Sequence, residues 1–236
     1  MNRPRILFIS GREIGYIRNR VLLAALRLHH DVIMFTSQLN GTLVRSAAGL
    51  ARTIVQHPPY DVVFAGFYGQ PLAIALSRVQ RKPVVLDAFV STYDTLCEDR
   101  QRFEPASIPG RLAFWLDAES CKVADLVLTD TAADAAYFHD SFSVPYDKIT
   151  PVYVGCDERL FFPRPPAALR EGCEVFYYGA FLPLHGALTI LRAAELLLDQ
   201  PAIHFTVGGD GPGLRQAQQL AASLELHNVD FVGWIP

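Results

Sequence analysis

The chain has 236 residues and a formal net charge of −3; 50% of it is hydrophobic and 19% charged, which excludes a disordered or collagen-like polymer. No apolar run reaches the ~18 residues of a membrane span, and the opening MNRPRILFISGRE turns polar too soon for a secretion signal. Cys97, Cys121, Cys156 and Cys173 form no C-x-x-C pair and no metal-ligand spacing, so they read as reduced structural thiols of a cytoplasmic protein.

Short β-branched runs alternate with amphipathic segments along the first two thirds of the chain. RILFIS, HDVIMFT, DVVFAGF, KPVVLDAF, DLVLTD and KITPVYV read as strands. Between them RNRVLLAALRLH, LVRSAAGLARTIVQH, PLAIALSRVQ, RLAFWLDAESCKVA and AADAAYFHDSF carry apolar residues at helical spacing. Continuous apolar strands alternating with helices imply a doubly wound parallel sheet, here of about six strands ending near Val154. This predicts a first domain over residues 1–155. GCDERLFFPRPPAALREG is rich in Pro, Gly and charge and reads as a linker over 156–172. The βα pattern then restarts over 173–236 with EVFYYG, ALTILRAAELLL, AIHFTVGG, GLRQAQQLAASLEL and VDFVGW. Three strands and two helices predict an incomplete Rossmann-like domain with an uncovered strand edge.

Charge is unevenly placed. Residues 1–60 carry eight arginines (3, 5, 12, 18, 20, 27, 45 and 52) against Glu13 and Asp31, or +6, which leaves −9 for the rest. A basic first quarter suits an anionic membrane surface or a phosphorylated acceptor; scattered solvated arginines are the plainer reading. The first strand–helix turn, Gly11 to Arg20, offers Gly11, Arg12, Gly15, Tyr16 and Arg18 as a candidate anion site. Helix N–H groups and arginines would there act together; a turn glycine beside solvated arginines is the alternative. Neither this turn nor VGGDGPGLRQ satisfies G-x-G-x-x-G: Glu13 stands at the second glycine position and Leu214 at the third. An ordinary nicotinamide enzyme is therefore not expected.

Several stretches together resemble the GT-B glycosyltransferases, specifically the retaining family 4 or group 1 type. PVYVGCDERLFFPRP is similar to that family's interdomain hinge through Val154, Gly155, Asp157, Phe162 and Pro163, with Cys156 in place of the usual Val. VGGDGPGLRQAQQLAASLELHNVDFVGW resembles the strand–turn–helix–strand unit of the donor domain through Gly209, Gly211, Pro212, Val229, Phe231 and Gly233. YYGAFLPLHG falls where the family has Gly-Arg-Leu-x-x-x-Lys-Gly; Gly179 and Gly186 remain, while Ala180 replaces the Arg and His185 the Lys. The resemblance implies a donor site of Gly179, Ala180, Phe181, His185, Gly186, Gly209, Gly211 and Pro212, with helix N–H groups and His185 facing a diphosphate. His185 making only a local bond is the alternative. In KPVVLDAFVSTYDTLCEDRQRF, Phe89 stands near the place of a family His, and Asp87, Asp94, Glu98 and Asp99 are candidates for holding acceptor hydroxyls, or a solvated acidic loop.

The resemblance further implies a cytoplasmic enzyme working at the inner face of a membrane. It would move a sugar from a nucleotide-sugar donor to a glycan or lipid-phosphate acceptor in envelope polysaccharide or glycolipid synthesis. Retention of configuration, no metal, no cofactor beyond the donor substrate and no nucleic-acid partner are expected. The family's second donor signature, two Glu separated by seven residues, falls after Pro236, so the resemblance implies a donor domain cut short. A binding remnant without turnover and a GT-B nucleotide-sugar epimerase are the alternatives.

Overall fold

The computed structural model describes residues 3–11, 15–36, 59–163 and 172–235. The predicted helix LVRSAAGLARTIVQH lies outside them, as does Arg12. The chain divides into two compact units, 1–162 and 163–236.

In the first unit, β1 (Arg5–Ser10), β2 (Asp31–Thr36), β3 (Val62–Ala65), β4 (Val84–Asp87), β5 (Leu126–Thr129) and β6 (Ile149–Pro151) form a parallel sheet in the order β2-β1-β3-β4-β5-β6. The order reverses next to β1, the switch point at which open α/β sheets leave a crevice at the carboxyl ends of their strands. Alternate residues serve opposite faces. Leu7, Ile9, Val63, Leu86 and Val127 pack on one side, Ile6, Phe8, Phe64 and Leu128 on the other. Neither face of the strands can be polar, which is why each reads as one apolar run. The helices are α1 (Ile17–His29), α2 (Gln70–Val79), α3 (Ile108–Val123) and α4 (Ala132–Phe142).

Two boundaries differ from the sequence reading. Helix α3 begins at Ile108, three residues before the predicted RLAFWL, because Ser107 caps it by accepting from the Gly110 N–H at 3.2 Å and Pro109 occupies the first turn. Strand β6 ends at Pro151 rather than running through Val154, although the Val152 N–H still donates to the Thr129 carbonyl at 2.7 Å.

The second unit holds β7 (Cys173–Gly179), α5 (Ala187–Glu195), β8 (Ile203–Gly209), α6 (Leu214–Ser223) and β9 (Val229–Gly233), with a parallel sheet in the order β7-β8-β9. Both helices cover one face, where Leu191, Val207, Ala217 and Ala221 pack together with Phe181 and Tyr177. On the other face Phe176, Tyr178 and Val232 are exposed. The predicted helix through Leu198 stops at Glu195. The chain unwinds there into tighter turns, with the Leu197 and Leu198 N–H groups reaching back only three residues.

Candidate functional site

Two groups of candidate residues collect at the carboxyl ends of strands, one in each unit, and they are built differently.

In the first unit the β1–α1 and β3–α2 turns are tied by fully buried Asn19. Its Nδ2 donates to Ser10 Oγ at 3.1 Å and its Oδ1 accepts the Phe67 N–H at 3.1 Å. The turns touch backbone to backbone: a Cβ on Gly11 would lie 1.9 Å from the Tyr68 carbonyl oxygen. Glycine is therefore required at position 11, whereas a Cβ on Gly15 would meet nothing within 4 Å. The Tyr16 ring stacks on Phe67 at 4.1 Å between centroids, and Phe89 lies about 6 Å from both, at 6.0 and 6.1 Å. Half-buried Tyr16, Phe67, Tyr68 and Phe89 thus make an aromatic patch on the rim.

Arg18 does not face an anion from solution. It is buried and donates from Nε to both Asp87 oxygens at 2.9 and 3.0 Å, from Nη2 to Asp87 Oδ1 at 2.7 Å, and from Nη1 to the Val152 carbonyl at 2.8 Å. Its guanidinium also sits 4.8 Å over the Phe89 ring. The expectation of Arg18 as a phosphate ligand and of Asp87 as a sugar ligand is corrected here, because each spends its charge on the other. Burial raises the Asp87 carboxyl and outweighs the pull of Arg18. Arg20 is half-exposed and pairs with Asp157 at 3.3 Å. Hydrogen bonds from Arg159 are the largest cause lowering Asp157 to about 2.

Asp94 and Glu98 share the π-helical turn Asp94–Asp99 and hydrogen-bond one another. Burial, then that bond and the Glu98 charge, raise Asp94. Asp99 lies on the same turn and adds to the repulsion. Asp130, just beyond β5, is pushed up to about 6 by burial and by its bond to Asp134. Sequence reading missed Asp117 on α3. Its buried Oδ2 accepts from Ser91 Oγ and the Tyr93 N–H, both at 2.8 Å, and so anchors the loop that follows Phe89. A single Asp on the apolar face of RLAFWLDAESCKVA was the available signal.

In the second unit the backbone does most of the work. The β8–α6 turn lies directly on the β7–α5 turn. A Cβ would fall 1.9 Å from the Gly179 oxygen at Gly209, 1.8 Å from the Ala180 oxygen at Gly211, and 2.5 Å from the Phe181 oxygen at Gly213. Gly209 and Gly211 also have φ of +120° and +146°, so side chains are excluded twice over. Pro183–His185 forms a short 3₁₀ turn, and Gly186, at φ +67°, starts α5. Neither α5 nor α6 has a side-chain N-cap. Their first turns meet at a cavity of about 460 Å³ lined by Phe181, Leu182, Gly186, Thr189, Pro212 and Gln216, among others. Uncapped N–H groups and aligned helix dipoles make this an anion-favouring place. Ala180 is exposed and Phe181 is buried in the core, so Phe181 supports the turn rather than lining it with a polar group.

Gly179 separates two polar groups. A Cβ there would lie 2.8 Å from the Tyr177 hydroxyl and 3.1 Å from His185 Nδ1. The Tyr177 hydroxyl is buried with no hydrogen-bond partner among the described residues, and burial raises its pKa. Tyr177 was missed because it shares its strand parity with Val175 and reads as core. Among the described residues no three His, Cys, Asp or Glu stand together as metal ligands, and no helix is long and apolar enough to cross a membrane.

No protein-family model and no curated protein matches the chain. Solved structures do. HepE of Anabaena, in complex with UDP and glucose, is 18% identical over 99% of this chain and 70% of that one, with a TM-score of 0.63. The lipopolysaccharide outer core galactosyltransferase WaaB, in its apo form, is 12% identical over 98% of this chain and 68% of that one, at 0.57. A UDP-N-acetylglucosamine 2-epimerase is 13% identical over 100% and 70%, at 0.59. At such identities the likeness is one of fold, and the fold of this chain is α/β of the GT-B type.

Proposed function

We propose that the chain is a glycosyltransferase that holds the diphosphate of a nucleotide-sugar at the paired N-termini of α5 and α6. The observation that carries this is the glycine-on-backbone contact of the two turns, which brings both uncapped helix starts to one cavity of about 460 Å³. The N–H groups there are fixed before any ligand arrives. They neutralise the charge that grows on a departing nucleoside diphosphate without reorganising, which is where such a reaction gains its rate. His185 Nδ1, beside Gly179, supplies a further polar contact in place of the Lys that this turn lacks, while the Tyr177 hydroxyl is buried against Gly179. The fold neighbour HepE was solved with UDP, which supports a uridine nucleotide as the first donor to try.

The acceptor is assigned to the aromatic rim of the first unit, with Tyr16, Phe67 and Phe89 as a stacking surface for a sugar ring and Asp94 and Glu98 as acceptors for its hydroxyls. Retention of configuration, independence from metals and cofactors, and a glycan or lipid-linked acceptor belong to the same reading. A second reading, epimerisation of the nucleotide-sugar itself, is favoured by the likeness to the UDP-N-acetylglucosamine 2-epimerase.

Calorimetric titration of UDP and UDP-glucose into the chain tests the site. Binding of both is expected, and Gly179→Ala should weaken it about tenfold by placing a methyl between Tyr177 and His185. No heat with either ligand would sink the proposal. With a labelled donor, label moving to an added acceptor marks transfer, and label remaining on an isomerised nucleotide-sugar marks epimerisation.

A further inference from the structure

The sheet of the second unit has one face that its helices leave open. Tyr177, Val207 and Phe231 pack under α5 and α6, so Phe176, Tyr178 and Val232, one position along each strand, point the other way. The Phe176 and Tyr178 rings stack on that face with centroids 5.9 Å apart. Gly233, at φ +71°, turns the chain at the end of β9. Ile235 then lies over Gly208 and fills the place that a Cβ there would take. Tyr178 and Trp234 are each 76% exposed, and Phe176, Val232 and Ile235 between 42% and 54%. A parallel sheet is ordinarily covered on both faces, and a patch of this make-up seldom stands in water without a use. Charge lies toward the amino ends of the strands and is already engaged. Thr206 Oγ1 donates to a Glu174 oxygen, and His204 Nε2 stands 3.0 Å from Asp230 Oδ2. No Lys or Arg occupies any position on β7, β8 or β9.

We propose that this face is a two-fold contact with a second copy of the chain, sheet packed on sheet. The area suffices. A fully buried aromatic side chain covers about 150–250 Å², so at these exposures the five apolar side chains offer on the order of 600 Å² per copy. The polar side chains beside them bring the face near the ~800 Å² per partner of a stable interface. The pattern is also compatible with itself. A two-fold axis running along the strands lays the apolar end of one face on the apolar end of the other. Aromatic side chains at the centre and charges toward the margin are the make-up of a contact between subunits. An anionic partner would find no Lys or Arg on these strands to meet it.

The contact stands apart from the glycosyl-transfer reading, and its test needs no nucleotide-sugar. Sedimentation of the full chain at rising micromolar concentration should show monomer passing into dimer and no further. The chain has two tryptophans, Trp115 and Trp234, so Trp115→Phe leaves Trp234 as the sole emitter. Its emission should shift to the blue in step with the dimer. Tyr178→Glu changes an exposed side chain and should leave the unfolding curve of the dilute protein unchanged. It should raise the dissociation constant of the dimer by at least about thirtyfold. Leu112→Glu, at an exposed apolar position on α3 of the first unit, is the control and should leave that constant as it was. A chain that stays monomeric at every concentration overturns the proposal and gives the face to a different partner. A dimer that survives Tyr178→Glu overturns it too, as does one that Leu112→Glu dissociates, or association that runs on past two copies.

Discussion

The two units carry their candidate sites at the same topological place, the carboxyl ends of parallel strands, yet they furnish it by opposite means. At the first rim, charged and aromatic side chains crowd together: buried Arg18 and Asp87 neutralise one another, while Glu98 raises the Asp94 carboxyl and Asp134 that of Asp130. At the second, glycine turns press backbone against backbone and leave two helix starts without side-chain caps. The comparison warns against counting charges at a predicted rim. A cation near a helix start is a ligand group only if no carboxylate has already claimed it, whereas a turn that no Cβ could enter leaves the helix start behind it without a side-chain cap.

The strongest way to break the contrast is to remove one charge from the first rim. Arg18→Met leaves Asp87 buried without its partner and should cost about 3–5 kcal/mol, read as a fall in the urea midpoint of the first unit. The double substitution Arg18→Met with Asp87→Leu should recover most of that loss, since two apolar chains need no charge compensation. A single substitution as mild as a surface change would mean that the pair is not desolvated as its geometry indicates.

The matching test on the second rim adds a methyl and no charge. Gly211→Ala places a Cβ 1.8 Å from the Ala180 oxygen at φ +146°, and a loss of about 3 kcal/mol is expected for strain of that kind. It should be confined to the second unit, so limited proteolysis should cut after residue 162 while the first unit stays intact. Gly15→Ala is the control. Nothing lies within 4 Å of its Cβ, and its effect should stay within about 0.5 kcal/mol. A Gly15→Ala loss as large as that of Gly211→Ala would mean that backbone contact is not what excludes a side chain at Gly211.

His185→Ala sharpens the functional side of the comparison. It removes one polar contact beside Gly179 while leaving the helix starts in place, so UDP affinity should fall by about tenfold with the thermal midpoint unchanged. Unaltered affinity would leave the backbone as the sole anchor.

The first unit's strands were legible because each is apolar on both faces, and the helices because each is apolar on one. Among the described residues the nine strands therefore stand on the apolar runs, β6 ending three residues early and the others shifted by no more than two at either end. The glycines of the β8–α6 turn were legible in part, since a turn that excludes Cβ atoms writes itself into the sequence as Gly209 and Gly211. What was not legible was which charges meet. Arg18 and Asp87 stand 69 positions apart, and nothing local links them. The only hints were an arginine facing an apolar helix stripe and an aspartate closing VVLD. Tyr177 was hidden for the converse reason, because a tyrosine on the packed side of a strand shows its ring to the sequence pattern and its hydroxyl only to the structure.

The smallest effect falls on Asp130 and turns on the sign of its titration. Burial, with Asp134 beside it, raises its carboxyl from 3.8 to about 6. A group whose folded pKa is raised takes up a proton more readily when folded than when unfolded between those two values. Stability from this group therefore grows as pH falls from above 6 toward 4, and at neutral pH its ionised form is a cost. Asp130→Asn removes that cost. Discounted for the partial exposure of the residue, the gain at pH 7.5 should be about 1 kcal/mol, or about 2–4 °C in Tm, and it should vanish near pH 4. Thermal scans of both proteins across that range decide it. Parallel curves at every pH would mean that Asp130 titrates like a surface carboxylate, and that the first rim is less crowded with its own charges than the comparison holds.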